Sequence, residues 1–216
     1  MSDFSVILAS GSPQRREILG RLGVEFEVRV SGAEELVHGD PAEIVVANAL
    51  LKAESVAGRA RTGPGPAAEG SPESVGTGPG PAVGGGPDRP ELVIGCDTDV
   101  VLEDHIIGKP EDEIRAREYM AQLSGREHRV LSGLAVLGPG EGRVRTGMAE
   151  SRVRFRELDT PAIDRYLASG EWRGRAGGYA IQGRGSALVA GVEGDISNVI
   201  GLPVGLLLDL VPELDG

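Results

Sequence analysis

The stretch Ser10-Gly11-Ser12-Pro13-Gln14-Arg15-Arg16 has the composition of an anion site. A Gly/Ser turn running into a helix leaves free backbone N–H groups at the helix N-terminus, which attract negative charge. Two arginines in the first turn oppose the helix dipole, at a cost of about 0.3–1 kcal/mol each. That choice makes sense if an anionic ligand sits in front of the helix. Two solvated surface arginines are the alternative.

Other candidates are spread along the chain. Lys52 and Asn48 lie four residues apart in an otherwise apolar stretch, 44–53, and so share one helix face. Taken alone, a lysine in an apolar stripe usually snorkels to solvent; the other reading is a cation aimed at phosphate. Leu92-Val93-Ile94-Gly95-Cys96-Asp97-Thr98 reads as a hydrophobic strand that ends just before a carboxylate. Ligands of α/β sheets bind beyond strand ends, which suits Asp97 to a metal or a water, although a turn or cap residue fits too. Cys96 reads as a small buried residue, with no histidine near it in sequence. Ile107-Gly108-Lys109-Pro110 holds a lysine in a stiff turn. In Tyr179-Ala180-Ile181-Gln182-Gly183, the Gln182 amide could read a base edge with its paired donor and acceptor. No role follows from the residues of 193–203, which fit an ordinary turn before a helix.

These residues need a scaffold, and the pattern supplies one. Residues 4–9 read as a strand. Ser12-Pro13 then starts a helix with Ile18, Leu19 and Leu22 on its apolar face. Asp40-Pro41-Ala42-Glu43 opens a second helix. Segments 92–95, 100–102, 130–137, 152–155 and 187–192 read as strands. Segment 112–123, closed by Ser124-Gly125, a segment from Thr160-Pro161 to near Gly170, and one opened by Leu202-Pro203 read as helices. The alternation favours an α/β fold with a central sheet covered by helices. Residues 61–90 stand apart, with nine Gly and seven Pro and the duplicated run Thr-Gly-Pro-Gly-Pro-Ala at 62 and 77. Too little apolar surface is present there to fold, and a mobile surface loop is expected.

The 216 residues suit one domain or two small lobes on one core. The net charge of −11 argues against attraction of a nucleic-acid backbone over the whole surface; a small phosphate ligand needs only a few local cations. Cys96 is the only cysteine, so no intrachain disulfide forms. His38, His105 and His128 lack zinc-site spacing. The acidic start at Asp3 does not fit a signal peptide, and the apolar run 199–208 is too short to span a bilayer. A cytoplasmic protein away from membranes is the expectation.

Taken in order, the motifs resemble those of the Maf family of nucleotide pyrophosphatases. Leu8-Ala9-Ser10-Gly11-Ser12-Pro13-Gln14-Arg15-Arg16-Glu17-Ile18-Leu19 is similar to the family's opening signature. Val30-Ser31-Gly32-Ala33-Glu34-Glu35, Leu51-Lys52-Ala53, and Ile94-Gly95-Cys96-Asp97-Thr98 with Ile107-Gly108-Lys109-Pro110 follow as the next blocks. Leu123-Ser124-Gly125-Arg126-Glu127-His128, Tyr166-Leu167-Ala168-Ser169-Gly170-Glu171, the Gln182 block and residues 198–203 complete the set. The likeness covers nearly the whole chain outside the Gly/Pro-rich insert, which is longer than the family leads one to expect.

The resemblance implies an ITPase-like (Maf) fold: one domain over 1–216, with a mixed central sheet flanked by helices and two lobes around a nucleotide cleft. It implies hydrolysis of a nucleoside triphosphate to the monophosphate and diphosphate with a divalent cation, Mg2+ or Mn2+, and in many members a homodimer. Asp97 is then the catalytic base. Ser12, Arg15, Arg16, Lys52 and Lys109 bind the substrate, and Glu35 with Asp97 holds the metal. Gln14, Thr98 and Gln182 face the base or sugar. Asp97-Thr98 marks the branch acting on dTTP and UTP, where Asp followed by Gln would mark 7-methyl-GTP. Gln14 stands where the family usually has Arg, and Glu127 where Thr is frequent. Maf-like proteins are also associated with arrest of septum formation, so a non-catalytic nucleotide-binding regulator is the alternative, as is a modified-purine preference.

Overall fold

The computed structural model describes residues 4–62, 90–138 and 143–215. Most of the Gly/Pro-rich insert, and with it the expectation of a mobile loop, lies outside the described residues. The elements run β1 (Ser5–Leu8), α1 (Pro13–Arg21), β2 (Phe26–Val28), α2 (Pro41–Thr62), β3 (Glu91–Leu102), β4 (His105–Ile107), α3 (Glu113–Leu123), β5 (Glu127–Leu137), β6 (Val144–Phe155), α4 (Thr160–Leu167), β7 (Val189–Glu193), α5 (Ile196–Ile200) and α6 (Val204–Leu210). The strands form one mixed sheet in the order β2-β1-β3-β5-β6-β7, with β4 also paired to β3. The α/β architecture expected from the alternating pattern is the one observed.

Helix starts follow local chemistry. Ser12 caps α1, Asp112 caps α3 and Asp159 caps α4, each accepting from a backbone N–H in the first turn. At α2, Asp40 Oδ1 accepts from the N–H groups of Ala42 and Glu43 at 2.9 and 3.2 Å. Two short strands, β2 and β4, were not legible in the sequence. Each has three residues, too few for a period-2 pattern to stand out.

The expected break between strands 92–95 and 100–102 does not exist. Strand β3 runs unbroken, and its antiparallel ladder with β5 extends from Val93↔Leu137 to Val101↔Arg129. Asp97 therefore sits in the middle of a strand, opposite Gly133. The strand that does end here is β1, whose parallel pairing with β3 stops at Ile94, while β4 joins the same edge only from Val100. Among the described residues no strand covers β3 between these points, and the sheet is open there.

Side chains alternate across β3 as the pleat demands. Leu92, Ile94 and Cys96 pack with Leu19 of α1 and Leu207 of α6. Val93 packs on the opposite face with Ala49, Ala53 and Val56 of α2. Farther along, Val100 and Leu102 pack with α3 and α4 through Met120, Leu123 and Tyr166. The sheet thus carries two helical groups on one face, with a cleft between them, and α2 on the other.

Glycine decides how closely α2 approaches. A Cβ on Gly95 would lie 2.1 Å from the carbonyl oxygen of Ala49, and one on Gly133 would lie 2.1 Å from that of Val45. Both contacts are with backbone, so only glycine lets the helix rest this low on the sheet. That seating brings Asn48 and Lys52 directly over Asp97.

His128 is buried in the α3–α4 half at 2% exposure, its Nε2 2.8 Å from the Tyr179 hydroxyl and its ring edge-on to Phe155. Nδ1 has no hydrogen-bond partner. Burial pushes the imidazole down to about 4. A histidine held neutral in the fold favours the unfolded state once that state takes up its proton, so stability is full above about 6.5 and is lost as pH falls toward 4. Acidifying from pH 7 to pH 4.5 should cost about 2 kcal/mol through this residue. The urea midpoint of wild type should fall relative to that of His128→Phe over that interval; an unchanged difference would show that His128 does not titrate there.

Candidate active site

Asp97 is 6% exposed, and both of its oxygens are engaged. Oδ1 accepts from Lys52 Nζ at 2.6 Å and Oδ2 from Asn48 Nδ2 at 3.0 Å. Lys52 is itself 8% exposed, so it does not snorkel. The reason is the carboxylate waiting beneath it: α2 sits too low for the ammonium to reach solvent without abandoning a buried acid. Lys52 Nζ also lies 2.8 Å from Glu35 Oε1. Asn48 ties the same region together, since its Oδ1 accepts from Leu36 N and its Nδ2 donates to Leu36 O. The loop bearing Glu35 is thereby pinned over Asp97.

On the other face of β3, Arg15 spans the cleft floor. Its Nε donates to Gly201 O at 2.9 Å, Nη1 to Ser10 Oγ at 3.0 Å and Nη2 to Thr98 Oγ1 at 3.1 Å. A guanidinium has five N–H donors, so part of its donor set remains for a ligand, and none of these acceptors carries charge. Thr98 Oγ1 is also 2.8 Å from Ser132 Oγ. Thr98 also borders the cleft itself.

The cleft is lined by Ser12, Gln14, Arg15, Lys52, Asp97, Thr98, Lys109 and Gln182, along with Arg175, Tyr179 and Gly201. It opens where β3 lacks a neighbour, which is why Asp97 on one face and Thr98 on the other both border it. Lys109 is exposed at its rim, and Gly108 O accepts from Gly177 N at 3.0 Å, joining that turn to the Arg175 segment. Arg16 is exposed and is not part of this lining; Glu35 joins only through Lys52. The sequence-predicted residues other than these two thus share one cavity.

Asp99 and Arg175 were missed as site residues, and Asn48 was noted only for sharing a helix face with Lys52. Asp99 lies two residues beyond Asp97, so the pleat puts it on the same face. Burial, then the charges of Asp97 and Glu35, push its carboxyl up to about 6. The period-2 alternation could have found it, had 92–102 been read as one strand. Among the described residues no group of three His, Cys, Asp or Glu side chains could by itself hold a metal ion. The hard carboxylate oxygens of Glu35 and Asp97, which converge on one Lys52 ammonium, are the donors that would hold a divalent cation such as magnesium.

Fold and site together define an α/β protein whose cleft sets Arg15, Lys109 and Arg175 beside a fixed carboxylate. The chain belongs to the Maf-like protein family, whose pattern matches residues 5–214. It is 41% identical over 201 residues to the dTTP/UTP pyrophosphatase of Moorella thermoacetica, covering 92% of this chain and 89% of that one. Similarity to the enzymes of that name from Deinococcus radiodurans (40% identity, 95% and 91% coverage) and Pelotomaculum thermopropionicum (36%, 95% and 94%) is of the same kind. Among the described residues no helix is long and apolar enough to cross a membrane.

Proposed function

We propose that the protein hydrolyses dTTP and UTP between the α and β phosphates, giving the monophosphate and diphosphate. The names of its relatives support the activity and substrate class. The observation that carries the mechanism is the Asp97 carboxylate, held by Lys52 and Asn48 at the edge of a cleft lined with cations.

Asp97 orients a water and takes its proton as the water oxygen bonds to the α phosphorus. The bond from that phosphorus to the bridging oxygen breaks, and diphosphate leaves. Arg15 and Lys109, with the N–H groups of the Ser12 turn, offset charge on the phosphates. Glu35 and Asp97 are the groups that would hold a divalent cation. When bound, that cation supplies neutralisation of the phosphate oxygens. Arg15 is fixed against Thr98, so Thr98 influences the substrate by setting how Arg15 presents its remaining donors. A cytoplasmic location suits such a reaction.

The reaction is tested by incubating the protein with magnesium and a panel of UTP, dTTP, CTP, GTP and 7-methyl-GTP in ¹⁸O-water. UTP and dTTP should turn over fastest, with the label in the nucleoside monophosphate. Label in diphosphate or in inorganic phosphate would place the attack elsewhere and defeat the mechanism; binding without turnover would make the protein a regulator.

A further inference from the structure

The Gln14–Arg175 pair crosses the cleft between the first turn of α1 and the segment after α4. The guanidinium can only donate, so the Gln14 amide must turn its oxygen toward it. In that orientation the oxygen accepts from Arg175 Nη2 and Nη1 at 2.8 and 2.9 Å, and the Gln14 amide nitrogen donates to Ser12 Oγ at 3.1 Å. A neutral amide thus aims a guanidinium without neutralising it.

The segment that carries Arg175 is firmly held. Trp172 is 4% exposed, and its indole N–H donates to Leu167 O at 3.2 Å. Gly178 N bonds Arg175 O, and Gly177 N bonds Gly108 O beside Lys109, each at 3.0 Å. Gly177 and Gly178 both adopt φ near +68°, which suits the tight turn.

The cations of the cleft fall into two groups. Lys52 faces two carboxylates, Asp97 and Glu35. Arg15, Lys109 and Arg175 line the cleft with no carboxylate at ion-pair distance among the described residues. Three cations without a direct ion-pair partner among the described residues border one cavity, and an anion filling it relieves their mutual repulsion.

We propose that Arg175 is a substrate-binding residue that grips the phosphate chain, with Gln14 as its positioning residue. The inference rests on the proposed triphosphate chemistry but concerns binding, so it can be tested without turnover. The probe is inorganic tripolyphosphate, which has no base or sugar. Its affinity is measured by calorimetry on the full chain, alongside kcat and KM for UTP.

Arg175→Met should weaken tripolyphosphate binding roughly ten- to a hundredfold, the range of a charge-assisted contact. It should raise KM for UTP similarly, while Arg175→Lys restores part of both. Gln14→Leu should have a smaller effect that disappears in the Arg175→Met background. Wild-type tripolyphosphate affinity in a folded Arg175→Met protein would overturn the proposal. So would a KM increase for UTP without loss of tripolyphosphate binding, because that would put Arg175 on the base or sugar. If wild type binds tripolyphosphate in an Arg175-dependent way but turns over no nucleotide, the phosphate grip stands and the proposed hydrolysis fails.

Discussion

Asp97→Asn should release diphosphate from UTP at least about 10²–10⁴-fold more slowly than wild type, the usual consequence of removing a general base. The substitution keeps shape but not chemistry, because the amide cannot take the proton of the attacking water. The surroundings fix how the new side chain sits. Asn48 is locked by its two bonds to Leu36, so its Nδ2 must keep facing residue 97. Lys52 can also only donate. The oxygen of the substituted amide can therefore satisfy one neighbour, and its NH₂ must face the other. One donor–donor contact costs about 1–3 kcal/mol, enough to lower the melting temperature without unfolding the protein. Melting is measured first and turnover second. Diphosphate release within tenfold of wild type from a folded variant would remove Asp97 from the chemistry.

How far the site could be read from the sequence depended on the range of the forces involved. Ser12 was legible as a cap because capping is local: a hydroxyl, a proline and the following turn suffice. The environment of Lys52 was not legible, because its behaviour depends on a residue 45 positions away. Local chemistry favours snorkelling, and only the low seating of α2 on Gly95 and Gly133 overrules it. Asp97 was found for a reason that needed correcting. The expected strand end belongs to β1 rather than to β3, and pairing partners are long-range facts that a single strand's pattern does not contain. The same error hid Asp99. Gln14 was read as facing the base or sugar, but its partner Arg175 escaped for the corresponding reason, because the two lie far apart in the chain. The α/β class came through because it rests on periodicity summed over many elements, which tolerates a missed β2 or β4.

Lys52→Met provides the complementary test, since it removes the cation and leaves the acid. Methionine matches the length and apolar stem of lysine, so packing against α2 and β3 changes little. Asp97 is left 6% exposed with Asn48 as its remaining donor. Breaking a buried ion pair from one side costs about 3–5 kcal/mol. The half-exposed Glu35 loses little by comparison, because water already screens it. The expected destabilisation is therefore about 3 kcal/mol at pH 8. Urea midpoints in the presence of chelator at pH 8 measure this directly. A deficit below about 1 kcal/mol would mean that Lys52 contributes only packing. Diphosphate release should also drop sharply in this variant, because the acid it leaves behind has lost the donor that fixes its Oδ1 at the edge of the cleft.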